Sequence, residues 1–454
     1  MRTLVLGFDG ASPRLVDKWI DRLPTFNMFK ERGSWGLTIP PIPAQTPVAW
    51  TTFATGQNPG NHGIFSFAFR HKGSYERKVI DPELIRSKTL WRILSDCGKR
   101  IGVVNVPMCD SMKVRGFIIP GFLSRTEGVF PPPIKEILQR RFHVDRLMGD
   151  LDVDTLKMAR SNPELFFERV NHITDEMAEI CLHLIKEEKW DFFMAVFMGA
   201  DRIQHFFWKY VDEDHPEYEE TLIGELVEDF YIKLDRIVSR FLEGVPEDIC
   251  VIVLSDHGFC PIHKEIIIND FLQEMKFLET DEIGKIDLER SRAISYGYGD
   301  IWLNVRGREP KGIIGSDKDY EDLRVEISEE LKRIKVDGGR PILDVKKREQ
   351  IYWGSYVDRA PDLTTIFDIG WQAARQPEIT KRSKLKRYVN DNPLWSGGHD
   401  GTHDPAAVPG IIGVLGPEMR KERELRVRLS DVAPTILGLM GIAAPTEMDG
   451  KPFY

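Results

Sequence analysis

Short apolar runs alternate with longer amphipathic segments through the first two-thirds of the chain. Five of the runs are TLVLGFD (3–9), RIGVVNV (100–106), GFIIPGF (116–122), DFFMAVFMGAD (191–201) and DICVIVLSD (248–256). They are rich in branched and aromatic residues and apolar on both faces, as strands of a sheet covered on both sides are. Between them, Phe166, Val170, Ile173, Met177, Ile180 and Leu184 step by four and three, the stripe of an amphipathic helix. Leu226, Phe230, Leu234 and Val238 repeat that pattern. The alternation predicts an α/β sandwich with helices on both faces of a mostly parallel sheet.

From about residue 266 the texture changes. A charged helical segment, YEDLRVEISEELKRI, sits among the strand candidates DIWLNV and DLTTIFD and the turn signal DGGRP. This predicts a smaller α+β insertion over 266–398, set into a core made of 1–265 and 399–454. Within it, KRSKLKRYVN carries five basic residues in ten, either a solvated face or a clamp for an anionic substrate. Beyond it GIIGVLGP reads as a strand, and LSDVAPTILGLMGIAAP as a closing helix ended by glycine and proline. No internal repeat or low-complexity tract interrupts the chain.

Composition narrows the function classes. The 454 residues are enough for a large core, and 42% hydrophobic with 29% charged residues is ordinary for a globular protein. A formal charge of −9 argues against bulk adhesion to nucleic acid or to an anionic membrane. No apolar run approaches the ~18 residues of a spanning helix, and MRTLVLGFDG lacks the features of a signal peptide. Five widely spaced cysteines with no CxxC read as reduced and mostly buried. The expectation is a cytoplasmic protein with no membrane partner.

Three predicted strands lead into an aspartate: Asp9, Asp201 and Asp256. Ligands of open α/β sheets bind beyond the carboxyl ends of the strands, so three carboxylates can converge on one edge. Each alone could simply cap a helix. His257 follows Asp256 directly, and His205 follows Asp201 by four residues, one helical turn away on the same face. The glycine-rich GGHDGTHDP adds His399 and His403. Mixed aspartate and histidine donors suit zinc or manganese, and a close metal pair serves in-line displacement at phosphorus. Finally, QTPVAWTTFATG places Thr46 and Pro47 at the mouth of a helix. There a threonine can cap free amides, or expose a nucleophilic hydroxyl where a phosphate would sit.

The ordered set GFDG, TPVAWTTFATG, DRIQH, SDHG and GTH, with the closing SDVAPTILGLMGI and MDGKPF, resembles the alkaline phosphatase superfamily. Within it the chain is most similar to the type I phosphodiesterase / nucleotide pyrophosphatase branch. The similarity runs over residues 1 to about 260 and about 396 to 454. It implies an alkaline-phosphatase-like three-layer sandwich with an inserted cap that sets specificity. It also implies two divalent metal ions, zinc or manganese: one on Asp201, His205 and His403, the other on Asp9, Asp256, His257 and the Thr46 oxygen. His399 is the reserve ligand, His62 reads as structural and His263 as an ordinary loop residue. Thr46 would be the nucleophile, forming a phosphothreonine that water hydrolyses.

The implied activity is cleavage of a phosphodiester or phosphoanhydride in a small phosphate-ester substrate. Two alternatives are a phosphoglycerate mutase-like phosphotransferase and a non-catalytic, metal-retaining binding protein. Two features depart from the nucleotide pyrophosphatase pattern. Phe67 stands where that branch has a phosphoryl-binding asparagine, and PVAWT replaces FPNHY after the nucleophile.

Overall fold

A computed structural model describes residues 1–109, 112–124, 128–140, 142, 153–375, 388–417 and 424–453. Its centre is an eight-stranded sheet in the order Leu425–Arg428, Ser34–Ile39, Gly410–Leu415, Cys250–Leu254, Thr3–Phe8, Phe192–Phe197, Ile101–Val104 and Gly116–Ile119. Gly410–Leu415 runs antiparallel to both its neighbours, and every other pairing is parallel. The five runs singled out by their apolar character form the contiguous parallel block.

Strand Thr3–Phe8 is buried at every position. Alternation splits its side chains: Leu4, Leu6 and Phe8 join one core, Val5 the other. The first core is covered by helices that include Pro163–Glu187 and Leu222–Glu243, which contain the two predicted stripes. The second is covered by Thr46–Thr55, Leu90–Asp96 and Val432–Leu439. The layers are helix, sheet and helix.

Register fixes what happens at the sheet edge. Thr3 pairs with both Phe192 and Cys250, and Gly7 with both Val196 and Leu254. The three central strands therefore end level, and each runs on toward an acidic residue. The Asp9 amide donates to the Phe197 carbonyl at 2.9 Å, and the Asp201 amide to the Asp9 carbonyl at 3.1 Å.

Residues 266–373 carry a separate hydrophobic cluster. It packs under an antiparallel sheet ordered Ala293–Ile294, Asp300–Leu303, Leu363–Phe367 and Ile342–Lys347, beside helix Asp317–Lys332. Strand Cys260–Ile266 pairs with Gly370–Ala373, Val389–Asn390 and Gly397–Gly398, stitching this region to the loop that holds His399. A small hairpin, Ala68–Arg70 with Arg77–Val79, follows the helix that starts at Thr46. The basic residues 381–387 lie outside the described residues. Among the described residues no helix is long and apolar enough to cross a membrane.

Candidate metal centre and active site

Beyond the level strand ends, six side chains gather in two groups of three. Asp201, His205 and His399 form one; Asp9, Asp256 and His257 form the other. All six are buried, and within each group the donor atoms lie within 4.8 Å of one another. The two groups touch: the His257 and His399 rings stack with centroids 3.6 Å apart and planes at 13°.

Local sequence explains each placement. Gly10 follows Asp9 with φ +69, a left-handed turn. A Cβ there would meet the Asp201 Cα at 3.1 Å and a Phe259 ring carbon at 2.7 Å, so glycine lets the two aspartate-bearing segments close together. The Gly10 amide donates to Asp256 Oδ1 at 3.2 Å. Asp201 sits in the first turn of helix Gly199–Phe207, which stacks His205 over it, Nε2 to Oδ1 3.4 Å. His399 Nε2 reaches the same oxygen at 3.1 Å. Arg202 Nη1 donates to the other oxygen, Oδ2, at 2.9 Å.

The outer nitrogens of the three histidines are each engaged by a backbone carbonyl. Nδ1 of His205 donates to the Gly397 carbonyl at 3.1 Å, Nδ1 of His257 to Gly258 at 3.2 Å, and Nδ1 of His399 to Ala44 at 2.6 Å. Nε2 of all three rings turns inward, that of His399 lying 3.3 Å from His205 Nε2 and 3.1 Å from Asp201 Oδ1. Asp9 Oδ1, Asp201 Oδ1, Asp256 Oδ2 and His257 Nε2 are buried without a hydrogen-bond partner. Buried polar atoms seldom stay unpaired, and these four are in the two triads. The donor set, two carboxylates and one imidazole in one group and the reverse in the other, fits a pair of divalent cations.

The electrostatics are uneven: against its burial, His399 is raised by its contact with Asp201, unlike the other two imidazoles. Burial, with Asp201 close by, pushes Asp9 up to about 7. Burial and the charge of Asp9 hold Asp256 well above the usual carboxylate range. Asp201 is also buried, but His205, His399 and Arg202 together hold it well below. Burial lowers His205 to about 4, and burial with His399 alongside holds His257 well below the usual imidazole range. Three carboxylates thus lie shut away from water among three imidazoles.

Thr46 is the first residue of helix Thr46–Thr55, not its cap. The capping position belongs to Gln45, which is extended (φ −90, ψ 136) and makes no side-chain capping bond. The Thr46 hydroxyl is therefore not spent on the helix start. Its neighbours tie it to the triads on both sides. Ala44 accepts from His399, Gln45 Nε2 donates to the Asp400 carbonyl at 3.3 Å, and Trp50 Nε1 donates to Asp9 Oδ2 at 2.7 Å. Trp50 lies one helical turn beyond Thr46.

One candidate is displaced. His403, expected beside Asp201 and His205, pairs in a bridge with Phe367 and turns its Nε2 to the Trp371 carbonyl at 2.8 Å. It is outside both triads, and His399 occupies the place instead. The reason is the Nδ1 bond to Ala44, which draws the earlier histidine of GGHDGTHDP under the start of the Thr46 helix. His62 is held between Thr52 Oγ1 (3.1 Å) and the Ile64 amide (3.2 Å), and burial lowers it to about 3. His263 packs edge-on against His215, away from the triads.

Sequence reading missed Trp50, Arg202 and the mouth of the site. There the Trp395 ring covers His205 at 3.5 Å, Arg375 lies against Trp395 and 3.4 Å from Asp400, and Phe67 pairs with Tyr298 (5.8 Å) and Phe122 (6.4 Å). Arg202 stands inside DRIQH and Trp50 inside TPVAWTTFATG, and Phe67 is the departure the sequence shows; Trp395, Arg375, Tyr298 and Phe122 come from distant segments.

Residues 3–404 match the sequence family described as type I phosphodiesterase / nucleotide pyrophosphatase. No curated protein matches the chain. Among solved structures, human ectonucleotide pyrophosphatase / phosphodiesterase 5 is similar at 15% identity, over 99% of this chain and 97% of that one, with a TM-score of 0.59. An inactive threonine-to-alanine variant of the murine protein, in complex with AMP, is similar at 17% identity over 98% and 96%, TM-score 0.60. Phosphonoacetate hydrolase from Sinorhizobium meliloti, in complex with phosphonoacetate, is similar at 19% identity over 95% and 94%, TM-score 0.59. At these identities the likeness to the solved structures is one of fold.

Proposed function

Since the chain belongs to the type I phosphodiesterase / nucleotide pyrophosphatase family, we propose that it hydrolyses a phosphodiester or phosphoanhydride through a phosphothreonine on Thr46 at a two-metal centre. The observation that carries this reading is the pair of buried triads, with four unpartnered polar atoms and every imidazole Nε2 turned inward. Asp201, His205 and His399 would hold one ion; Asp9, Asp256 and His257, with the Thr46 oxygen, the other. Zinc or manganese suits these donors. The ions would supply positive charge that acidifies a hydroxyl and neutralises a departing oxygen.

The protein's own groups do the rest. First-turn amides of a helix have no intrahelical acceptor, Pro47 has no N–H, and Gln45 leaves the end uncapped. The Thr46 and Val48 amides are thus available to hold non-bridging phosphoryl oxygens. Thr46 Oγ1 attacks phosphorus, the P–O bond to the leaving group breaks, and that oxygen leaves as an alcohol or phosphate. Water then attacks the phosphothreonine and restores Thr46. Arg202, fixed by Asp201 and set 5.4 Å from the Phe122 ring, keeps the first triad ionised. Phe67, between Phe122 and Tyr298, offers a ring where the nucleotide-cleaving branch has an amide, which favours a small or apolar leaving group over a nucleotide. We assign specificity to the 266–398 cap.

The test is metal content of the purified protein together with cleavage of bis-p-nitrophenyl phosphate and p-nitrophenyl phosphate, with and without chelator. Two ions per chain and chelator-sensitive cleavage that prefers the diester are expected. A chain with no bound metal and no turnover would leave a binding protein, and transfer to an added organic acceptor in place of water would make it a phosphotransferase.

A further inference from the structure

A cavity of about 630 Å³ opens where the hairpin after the Thr46 helix meets the cap. None of the triad residues lines it. Phe67 and Tyr298 lie between lining residues along the chain, Ser66 and Ala68 on one side and Tyr296 and Asp300 on the other, but do not themselves line it. Its volume is that of a small-molecule site, within roughly 300–1,000 Å³.

Eight lysines and arginines face this cavity against two carboxylates, Asp300 and Asp358, in a chain whose net charge is −9. Three of the eight are structural. Arg70 pairs with Glu309 at 2.6 Å, Arg308 with Asp362 at 2.6 Å, and Arg348 with Asp362 at 3.3 Å. Of the remaining five, Lys72, Arg86, Arg306 and Arg359 have no ion-pair partner among the described residues, and Arg77 faces the buried Asp300. Asp300 is engaged by the Tyr296 amide (3.0 Å) and Trp302 Nε1 (3.2 Å).

The five come from three separate segments, so no single helix or basic run explains their meeting. Arg77 is anchored to the Tyr296 carbonyl and lies 5.4 Å from that ring. Gly63, left-handed at φ +84, makes room for Arg86: a Cβ there would meet the Arg86 Cγ at 3.2 Å. Guanidinium groups present forked donors suited to phosphate. We propose that this cavity is a binding site for a polyphosphorylated small molecule, separate from the metal centre. A multivalent anion is the occupant because a single phosphate would leave most of the five cations unpaired.

Inositol hexakisphosphate, titrated calorimetrically into the metal-loaded protein, tests this. One saturable site is expected, with affinity falling as salt rises and inorganic phosphate binding far more weakly. The double variant Arg77→Ala/Arg306→Ala should bind about tenfold or more weakly, the loss of charge-assisted contacts, while cleaving bis-p-nitrophenyl phosphate at the wild-type rate. Arg359→Glu, an exposed single change, should weaken binding in the same direction without touching Arg77's structural bond. Wild-type protein without saturable binding would overturn the proposal. So would equal binding by Arg359→Glu, which would put the anion on the metals, or inorganic phosphate binding as tightly as the hexakisphosphate.

Discussion

Trp50→Phe isolates one hydrogen bond that reaches the metal centre from outside it. Trp50 is fully buried, and its Nε1 donates to Asp9 Oδ2 at 2.7 Å. Phenylalanine keeps an aromatic ring in the second core but offers no donor, so Asp9 loses the contact that fixes its carboxylate plane. A hydrogen bond to a charged acceptor contributes about 1.5–3 kcal/mol, and about 1.4 kcal/mol is tenfold in affinity. Metal affinity at the Asp9–Asp256–His257 triad should therefore fall about 10- to 100-fold, the range seen when a ligand's outer partner is removed. The Asp201–His205–His399 triad, which Trp50 does not contact, should keep its affinity. The smaller ring also leaves a void against Gly7, where Trp50 packs so closely that a Cβ would lie 2.5 Å from its ring. That void lowers stability by about 1–3 kcal/mol, and thermal unfolding of the metal-free variant reads it separately. Competition titration with a chromophoric chelator at about pH 8, above the value of about 7 to which Asp9 is raised, resolves the two sites. Equal affinity of variant and wild type at both sites would refute the reasoning.

Two further outcomes are expected. His399→Ala should remove one ion and nearly all turnover, whereas His403→Ala, which loses the bond to the Trp371 carbonyl, should keep both ions by elemental analysis; the reverse pattern would return His403 to the ligand set. Because Asp9 is raised to about 7 in the metal-free protein, binding there must expel its proton below that pH. Affinity should then fall on acidification, by about tenfold per unit for each carboxylate that must lose its proton, Asp9 and Asp256 both being raised. Calorimetry in buffers of different ionisation enthalpy should record greater proton release at pH about 6 than at about 9. Metal affinity that is flat across this range would contradict the assignment of Asp9 as a ligand.

Much of the core was legible because its strands are buried on both faces. Runs such as DICVIVLSD need no partner to identify them, and an aspartate where the apolar run stops marks the sheet edge. His205 followed from helical spacing and His257 from adjacency. The strands Ser34–Ile39, Cys260–Ile266 and Leu425–Arg428 were not visible. SWGLTI carries Gly36, whose role appears only when Leu425 passes so close that a Cβ would meet its carbonyl, and CPIHKEI opens with proline and mixes polarities. The histidine choice in GGHDGTHDP was equally hidden, because a glycine-rich loop has no periodicity. A bond across 355 residues, from His399 to Ala44, decides it. Trp50 looks like core packing in the sequence, and becomes an outer partner of Asp9 only once the helix is laid against the sheet. The cationic cavity is a tertiary event throughout, assembled from arginines that are unremarkable singly.

The role of Thr46 is the centre of the account, and a quenched-turnover experiment reaches it most directly. Protein mixed with bis-p-nitrophenyl phosphate, stopped in acid and digested, should yield the peptide containing Thr46 with one added phosphoryl ester, mapped by fragmentation to that residue. Thr46→Ala should bind both metals, yield no modified peptide and lose diester cleavage. Wild-type turnover by Thr46→Ala, or an ester mapped to another side chain, would contradict it.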